Sequence, residues 1–179
     1  MNKFWEEDLP VGYYDKILTK GLKNKKGIQA NWHNITFINV KNKMGSDKKH
    51  LDYACGPGTF IGNYILNDSV GLDISVNQID FAKQKYSKHG KFFCISDIDL
   101  KSYNGHFQTI TVIGLLEYLD TREATELLET LYKLLSDDGK IILTTPNYGV
   151  VMRILEFLSH KIGRVDYSSE HKNKYTEKY

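Results

Sequence analysis

A short run of acids and small residues stands out for the chemistry it could do. Residues 52–59 read Asp-Tyr-Ala-Cys-Gly-Pro-Gly-Thr, directly after His50-Leu51. Asp52, Ala54, Gly56 and Gly58 alternate along it. The pattern predicts a strand that ends on an acid, turns sharply and feeds a helix. Glycine lets backbone approach a small ligand closely, because no side chain intervenes. In open α/β sheets ligands bind beyond the carboxyl ends of the strands. The run therefore points to a nucleotide-like cofactor, and the acid discriminates among them. A dinucleotide turn reads G-x-G-x-x-G. Gly56 and Gly58 fit its first two positions, but the third falls on Ile61, and Gly62 comes one residue late. The phosphate-binding pattern G-x-x-x-x-G-K-[ST] is absent. A carboxylate at the mouth serves a pyrophosphate poorly and a cationic ligand group well.

The run resembles motif I of the class I, Rossmann-like S-adenosylmethionine methyltransferases. The usual form there is D-x-G-C-G-x-G, and this chain has Ala54 at the first glycine. That replacement is mild unless the backbone needs a positive φ. The resemblance continues through Gly71-Leu72-Asp73-Ile74-Ser75, Ser96-Asp97-Ile98, Gly114-Leu115-Leu116-Glu117-Tyr118-Leu119 and Gly139 to Asn147, in the family's order and spacing. It implies a three-layer α/β sandwich with a mainly parallel central sheet, and S-adenosylmethionine as cofactor. The family fold ends with two further strands, the last antiparallel. The chain stops where they would begin, so they are expected to be missing. The fifth strand is then an open edge, unless the C-terminal segment or a homodimer covers it.

In that family the acids have distinct jobs. Asp73, with Ile74 beside it, ends the second strand and suits both ribose hydroxyls; the alternative is a helix-capping or surface acid. Asp97 suits the adenine amino group, with the amide of Ile98 facing the ring; the alternative is a turn acid. Asp52 favours the ammonium of the methionine part. Ala54, Gly56 and Gly58 give close backbone approach, and Thr59 is a helix cap first and a ligand contact second. Gly114 and Leu115 would line the methionine side.

A methyl acceptor with a hydroxyl group benefits from a general base. The candidates are His33, His171 and Glu117, and none is singled out. Tyr13 is the remaining candidate for acceptor contact. Gln29-x-x-Trp32-His33 resembles a lid helix, whereas the plainer reading packs Trp32 into the core. The leader Leu9-Pro10-Val11-Gly12-Tyr13-Tyr14-Asp15 and the run Thr144 to Tyr148 resemble methyltransferases of glycan and secondary-metabolite pathways, which implies a sugar or glycan-precursor hydroxyl as acceptor. The rival readings are a NAD(P)-dependent oxidoreductase and a truncated, non-catalytic domain that binds S-adenosylmethionine. Methylation of adenine or amide nitrogens is disfavoured, because Ile113-Gly114-Leu115-Leu116 replaces the Asn-Pro-Pro-Tyr motif. A metal is not expected, since the six histidines include no i, i+4 pair.

These residues need elements to position them. Residues 1–48 are expected to form a helical leader or lid, with helices over Tyr13–Leu22 and Gln29–Met44. Residues 49–149 alternate strand and helix. Strands are expected at Leu51–Ala54, Val70–Ile74, Phe92–Ile95, Phe107–Ile113 and Lys140–Thr145. A helix follows Thr59, and another opens at Ser75 with a Ser75-x-x-Gln78 capping box. A third is capped by Thr121, runs on Ala124, Leu127, Leu128, Leu131, Leu134 and Leu135, and stops at Asp137-Asp138-Gly139. Residues 150–179 are read as a helix over 150–162 and a polar tail. Alternating strands and helices imply a parallel sheet.

The bulk properties fit one globular domain. The chain has 179 residues, 41% hydrophobic and 26% charged, with a net charge of +2. That balance gives no basic footprint for nucleic acid. No apolar run reaches membrane-spanning length. Two well-separated cysteines suit a reducing, cytoplasmic setting.

Overall fold

Five short runs of apolar and β-branched residues pair into one sheet of order β3-β2-β1-β4-β5. They are β1 (His50–Tyr53), β2 (Ser69–Asp73), β3 (Gly90–Cys94), β4 (Phe107–Ile113) and β5 (Leu135–Thr144). All four pairings are parallel. The chain moves outward from β1 to β3, then returns to the other side of β1 as β4. That reversal opens a crevice beyond the carboxyl ends of β1 and β4, where ligands bind in such sheets. The computed structural model describes residues 4–46, 48–65, 68–149 and 171–176. The helix expected over 150–162 lies outside the described residues.

Alternation along the strands sorts the two faces. On one face Leu51, Leu72, Ile110 and Val112 pack with Leu131 and Leu134 of α4 (Thr121–Leu134). On the other, Phe92 and Cys55 meet Ile79, Ala82 and Tyr86 of α3 (Val76–Tyr86). Beside them, Leu18 of α1 (Tyr13–Asn24) and Phe37, Val40 and Met44 of α2 (Ile28–Met44) cluster with Phe60. Three layers result, as the family resemblance implies.

Four local expectations are revised. Asp120, not Thr121, caps α4: its side chain accepts from the amide of Glu123, and Glu123 reaches back to the amide of Asp120. The box at Ser75 is half formed. Ser75 accepts from the amide of Gln78, but the Gln78 side chain turns to the leader instead. The segment after motif I winds wide, as a π-helical turn over Ile61–Ile65, and Thr59 is buried against Asp15. Asp137-Asp138-Gly139 lies in a bulge of β5. Phe107 pairs with Leu135 and Thr109 with Lys140, so β5 carries the extra residues.

Candidate functional site

The motif I turn is built by backbone conformation. Ala54, Gly56 and Gly58 all have positive φ, at 61, 52 and 71°. The alternation seen in the sequence is thus an alternation of left-handed residues. Ala54 is not at a neutral site: its backbone does need the conformation that glycine adopts without strain. A Cβ on Gly56 would meet no atom within 4 Å, whereas one on Gly58 would strike Phe92 at 2.7 Å. Gly56 faces open space and Gly58 permits close packing. Cys55 is buried, and burial holds its thiol well above its usual range. It is an inert packing group.

Asp52 is 2% exposed. Thr111, its register partner on β4, donates to Asp52 Oδ1 at 2.7 Å. Among the described residues Oδ2 accepts no hydrogen bond. Burial raises the carboxyl to about 7; the Thr111 hydroxyl opposes that and nearby Asp73 adds to it. Asp73 binds the turn itself. Its Oδ2 accepts from the amide of Gly56 at 2.8 Å and its Oδ1 from the amide of Ser75 at 2.9 Å. Burial raises Asp73 despite these bonds. Ser75 and not Asp73 caps α3, so Asp73 ties the motif I turn to the start of that helix, and each oxygen still has a second lone pair for a ligand. Ile74, at the end of β2, is 43% exposed. Asp97 closes a short turn after β3, is exposed, and accepts from Ser96 Oγ at 2.8 Å. Ile98 follows, half-buried.

The loop after β4 forms a second cluster. Gly114 turns with φ 67°, and a Cβ there would sit 3.6 Å from Glu117 Oε1. Leu115 packs on the apolar core beside the turn. Glu117 is 3% exposed, and Thr145 Oγ1 donates to its Oε2 at 3.3 Å. Burial raises this carboxyl to about 7. The amides of Lys172 and Asn173 donate to the Glu117 carbonyl at 2.8 and 3.0 Å. His171 is thereby brought in: it hydrogen-bonds the hydroxyl of buried Tyr148 at 3.0 Å and lies 5.0 Å from the Tyr118 ring. It is not a free tail residue.

Tyr13 and His33 sit apart from that cluster, in the leader. Tyr13 and Tyr14 meet edge to face at 5.4 Å, and His33 packs between Tyr14 and Phe37. Burial lowers His33 to about 4, which leaves it neutral. Trp32 is 38% exposed and does not pack into the core. The leader reaches the carboxyl edge through residues other than Trp32 and His33. Trp5 meets Tyr118 at 4.6 Å, and Asn77 donates to the Glu6 carbonyl at 3.4 Å. Gln78 accepts from the Gly12 amide and donates to the Pro10 carbonyl. Buried Asp15 binds Lys85, Tyr86 and Thr59. The early leader is thus a strap from the loop after β4 to the start of α3.

The methyltransferase domain family matches residues 23–178. The chain belongs to that family. No curated protein matches it in sequence. A S-adenosylmethionine dependent methyltransferase from Archaeoglobus fulgidus is similar in fold at 18% identity and TM-score 0.59, covering 80% of this chain and 62% of that one. The PH0226 protein from Pyrococcus horikoshii is similar at 21% identity and TM-score 0.59, with 76% and 63% covered. Magnesium protoporphyrin IX methyltransferase from Synechocystis, solved with bound S-adenosylhomocysteine, is similar at 19% identity and TM-score 0.63, with 85% and 72% covered. This methyltransferase domain spans a little under two thirds of the first two. Family membership sets aside the nicotinamide reading. Among the described residues no His, Cys, Asp or Glu group could hold a metal ion, and no helix is long and apolar enough to cross a membrane.

Proposed function

We propose that this domain transfers a methyl group from S-adenosylmethionine to a small-molecule acceptor, a hydroxyl of a sugar or glycan precursor. The observation that carries the cofactor reading is the buried Asp52 carboxylate, whose Oδ2 has no partner among the described residues and stands beside a left-handed turn. A buried unpaired acceptor is costly, and an ammonium group from a ligand satisfies it. Asp73 and Ile74 receive the ribose, Asp97 and Ile98 the adenine, and Gly114 and Leu115 the methionine chain. S-adenosylmethionine supplies an activated methyl group on a sulfonium. The chain's part is to hold the acceptor in line, exclude water and take the acceptor's proton. Orientation of that kind contributes up to about 7–11 kcal/mol.

Glu117 is the base in this reading. Its carboxyl lies at the carboxyl edge and is raised to about 7, close to where a general base works best. As the acceptor's hydroxyl oxygen gains the methyl group, Glu117 would take the hydroxyl proton. Tyr148 and His171 shape the acceptor side, and the leader strap closes over the crevice.

Calorimetry with S-adenosylmethionine, S-adenosylhomocysteine, NADH and NADPH tests the cofactor. Binding of the two adenosyl ligands alone is expected. Asp73→Ala weakens it at least tenfold, about 1.4 kcal/mol. Binding of NADH alone would overturn the reading, and an unchanged affinity in the variant would overturn the ribose assignment.

A further inference from the structure

Behind the motif I turn, on the face of the sheet that carries Asp52, four side chains form a continuous chain of hydrogen bonds. Ser69 Oγ lies 3.0 Å from His50 Nδ1, His50 Nε2 lies 2.9 Å from Thr111 Oγ1, and Thr111 Oγ1 lies 2.7 Å from Asp52 Oδ1. The residues come from β2, β1, β4 and β1 in turn, and none is more than 2% exposed. A parallel sheet seldom buries this much polarity on one face without a reason, since unmatched groups cost about 1–3 kcal/mol each.

Proton counting gives the chain a direction. An ionised carboxylate only accepts, and a hydroxyl has one proton to give. Thr111 gives its proton to Asp52; the Leu51 carbonyl, at 3.4 Å, is the more distant acceptor. Thr111 must then accept from His50, which places the ring proton on Nε2. Burial lowers His50 to about 3, so the ring is neutral and carries that proton alone. Its Nδ1 is left to accept from the Ser69 hydroxyl. Reversing one bond alone would set two donors or two acceptors face to face. The whole chain therefore aims a donor at Asp52 Oδ1, a bond that an ionised carboxylate accepts most strongly.

We propose that Ser69, His50 and Thr111 are positioning residues for the Asp52 carboxyl that favour its ionised form against burial, with Oδ1 engaged and Oδ2 turned to the ammonium group of the bound cofactor. They act only through Asp52 and touch no ligand themselves. The inference rests on the proposed role of Asp52. It makes amino-group recognition a property of three strands rather than of one loop.

Calorimetry with two ligands tests it. S-adenosylhomocysteine carries the amino group; methylthioadenosine keeps the adenosine and sulfur but lacks it. Thr111→Val is expected to weaken S-adenosylhomocysteine at least tenfold and methylthioadenosine less than twofold. Thr111→Ser, which keeps the hydroxyl, recovers most of the loss. Asp52→Asn is the reference. If it leaves S-adenosylhomocysteine unchanged, Asp52 does not meet the ammonium, and the proposal falls with that reading. If Asp52→Asn weakens binding while Thr111→Val does not, or if Thr111→Val weakens both ligands alike, the Asp52 reading stands and the relay fails. Nitrogen NMR of the histidines in the unaltered chain is independent of any variant's folding. It should show His50 as the Nε2–H tautomer, and an Nδ1–H tautomer would overturn the proposal.

Discussion

The turn after β1 and the loop after β4 lie side by side at the carboxyl edge, and each buries one carboxyl raised to about 7. They hold it differently. Asp52 is gripped from within the sheet, by Thr111 directly opposite and His50 two residues earlier on the same strand. Glu117 is gripped from outside it, by Thr145 after β5 and by the amides of residues 172 and 173 on its carbonyl. A sheet register cannot shift without moving every neighbour. Loops and distant segments can change while the scaffold stays. The first arrangement suits a constant ligand group, and the second suits an acceptor that differs between relatives.

Replacing the two carboxyls separates these roles. Glu117→Gln keeps the shape of the loop and removes the proposed base. Turnover should fall about 10²–10⁴-fold, with the calorimetric affinity for S-adenosylhomocysteine unchanged within about twofold. An equal loss of affinity would erase the distinction between the two loops.

Acidity gives the next largest effect. Asp52 must be ionised to meet an ammonium, so cofactor affinity should rise about tenfold per pH unit toward pH 7 and level off above it. Asp52→Asn should flatten that profile, and Glu117→Gln should leave it in place. In the unliganded chain the two carboxyls run the opposite way. Folded Asp52 and Glu117 keep protons up to about 7 that the unfolded chain releases near 3.8 and 4.5, so each costs stability as pH rises through that window. His33 and His50, lowered to about 4 and about 3 from 6.5, offset them below about 6.5. The carboxyl contribution is isolated by difference: Glu117→Gln should gain stability relative to the parent chain as pH rises from 4.5 to 7, and a constant difference in denaturant midpoint would contradict the burial of Glu117.

The smallest effect falls on the turn alone. Ala54 holds φ 61°, a conformation that costs a non-glycine residue about 1–2 kcal/mol. Glycine recovers this but loses some of it to the freer unfolded chain. Ala54→Gly should stabilise the domain by about 0.5–1 kcal/mol in denaturant titration, and a loss would show that the turn does not need the left-handed backbone.

The leader shows where reading by motif stops. Its helices, Tyr13–Asn24 and Ile28–Met44, are close to the expected Tyr13–Leu22 and Gln29–Met44. Trp32-His33 looked like the part that covers the site. The residues that reach the carboxyl edge are instead Trp5 and the Pro10–Gly12 turn, through Tyr118 and Gln78, while Asp15 ties α1 to the last turn of α3 through Lys85. Gln78 was legible as half of a capping box, because its spacing from Ser75 is local. Its bond to Gly12 joins residues 66 apart, and no spacing rule reaches that far.

Local order and period determined much of this protein from sequence alone. Alternating β and α runs dictated a parallel sheet, and β4 matches its expected span residue for residue. The motif I turn was readable because its acid, its small residues and its helix start lie within one short run. Tertiary structure decided which distant groups share a space. His50 lay just before the expected strand until β1 took it in and its ring met Thr111, the register partner of Asp52, and His171 looked like a tail residue until Tyr148 and Glu117 enclosed its segment. Period sets which face of a strand a residue takes. Only pairing and packing set what it meets there.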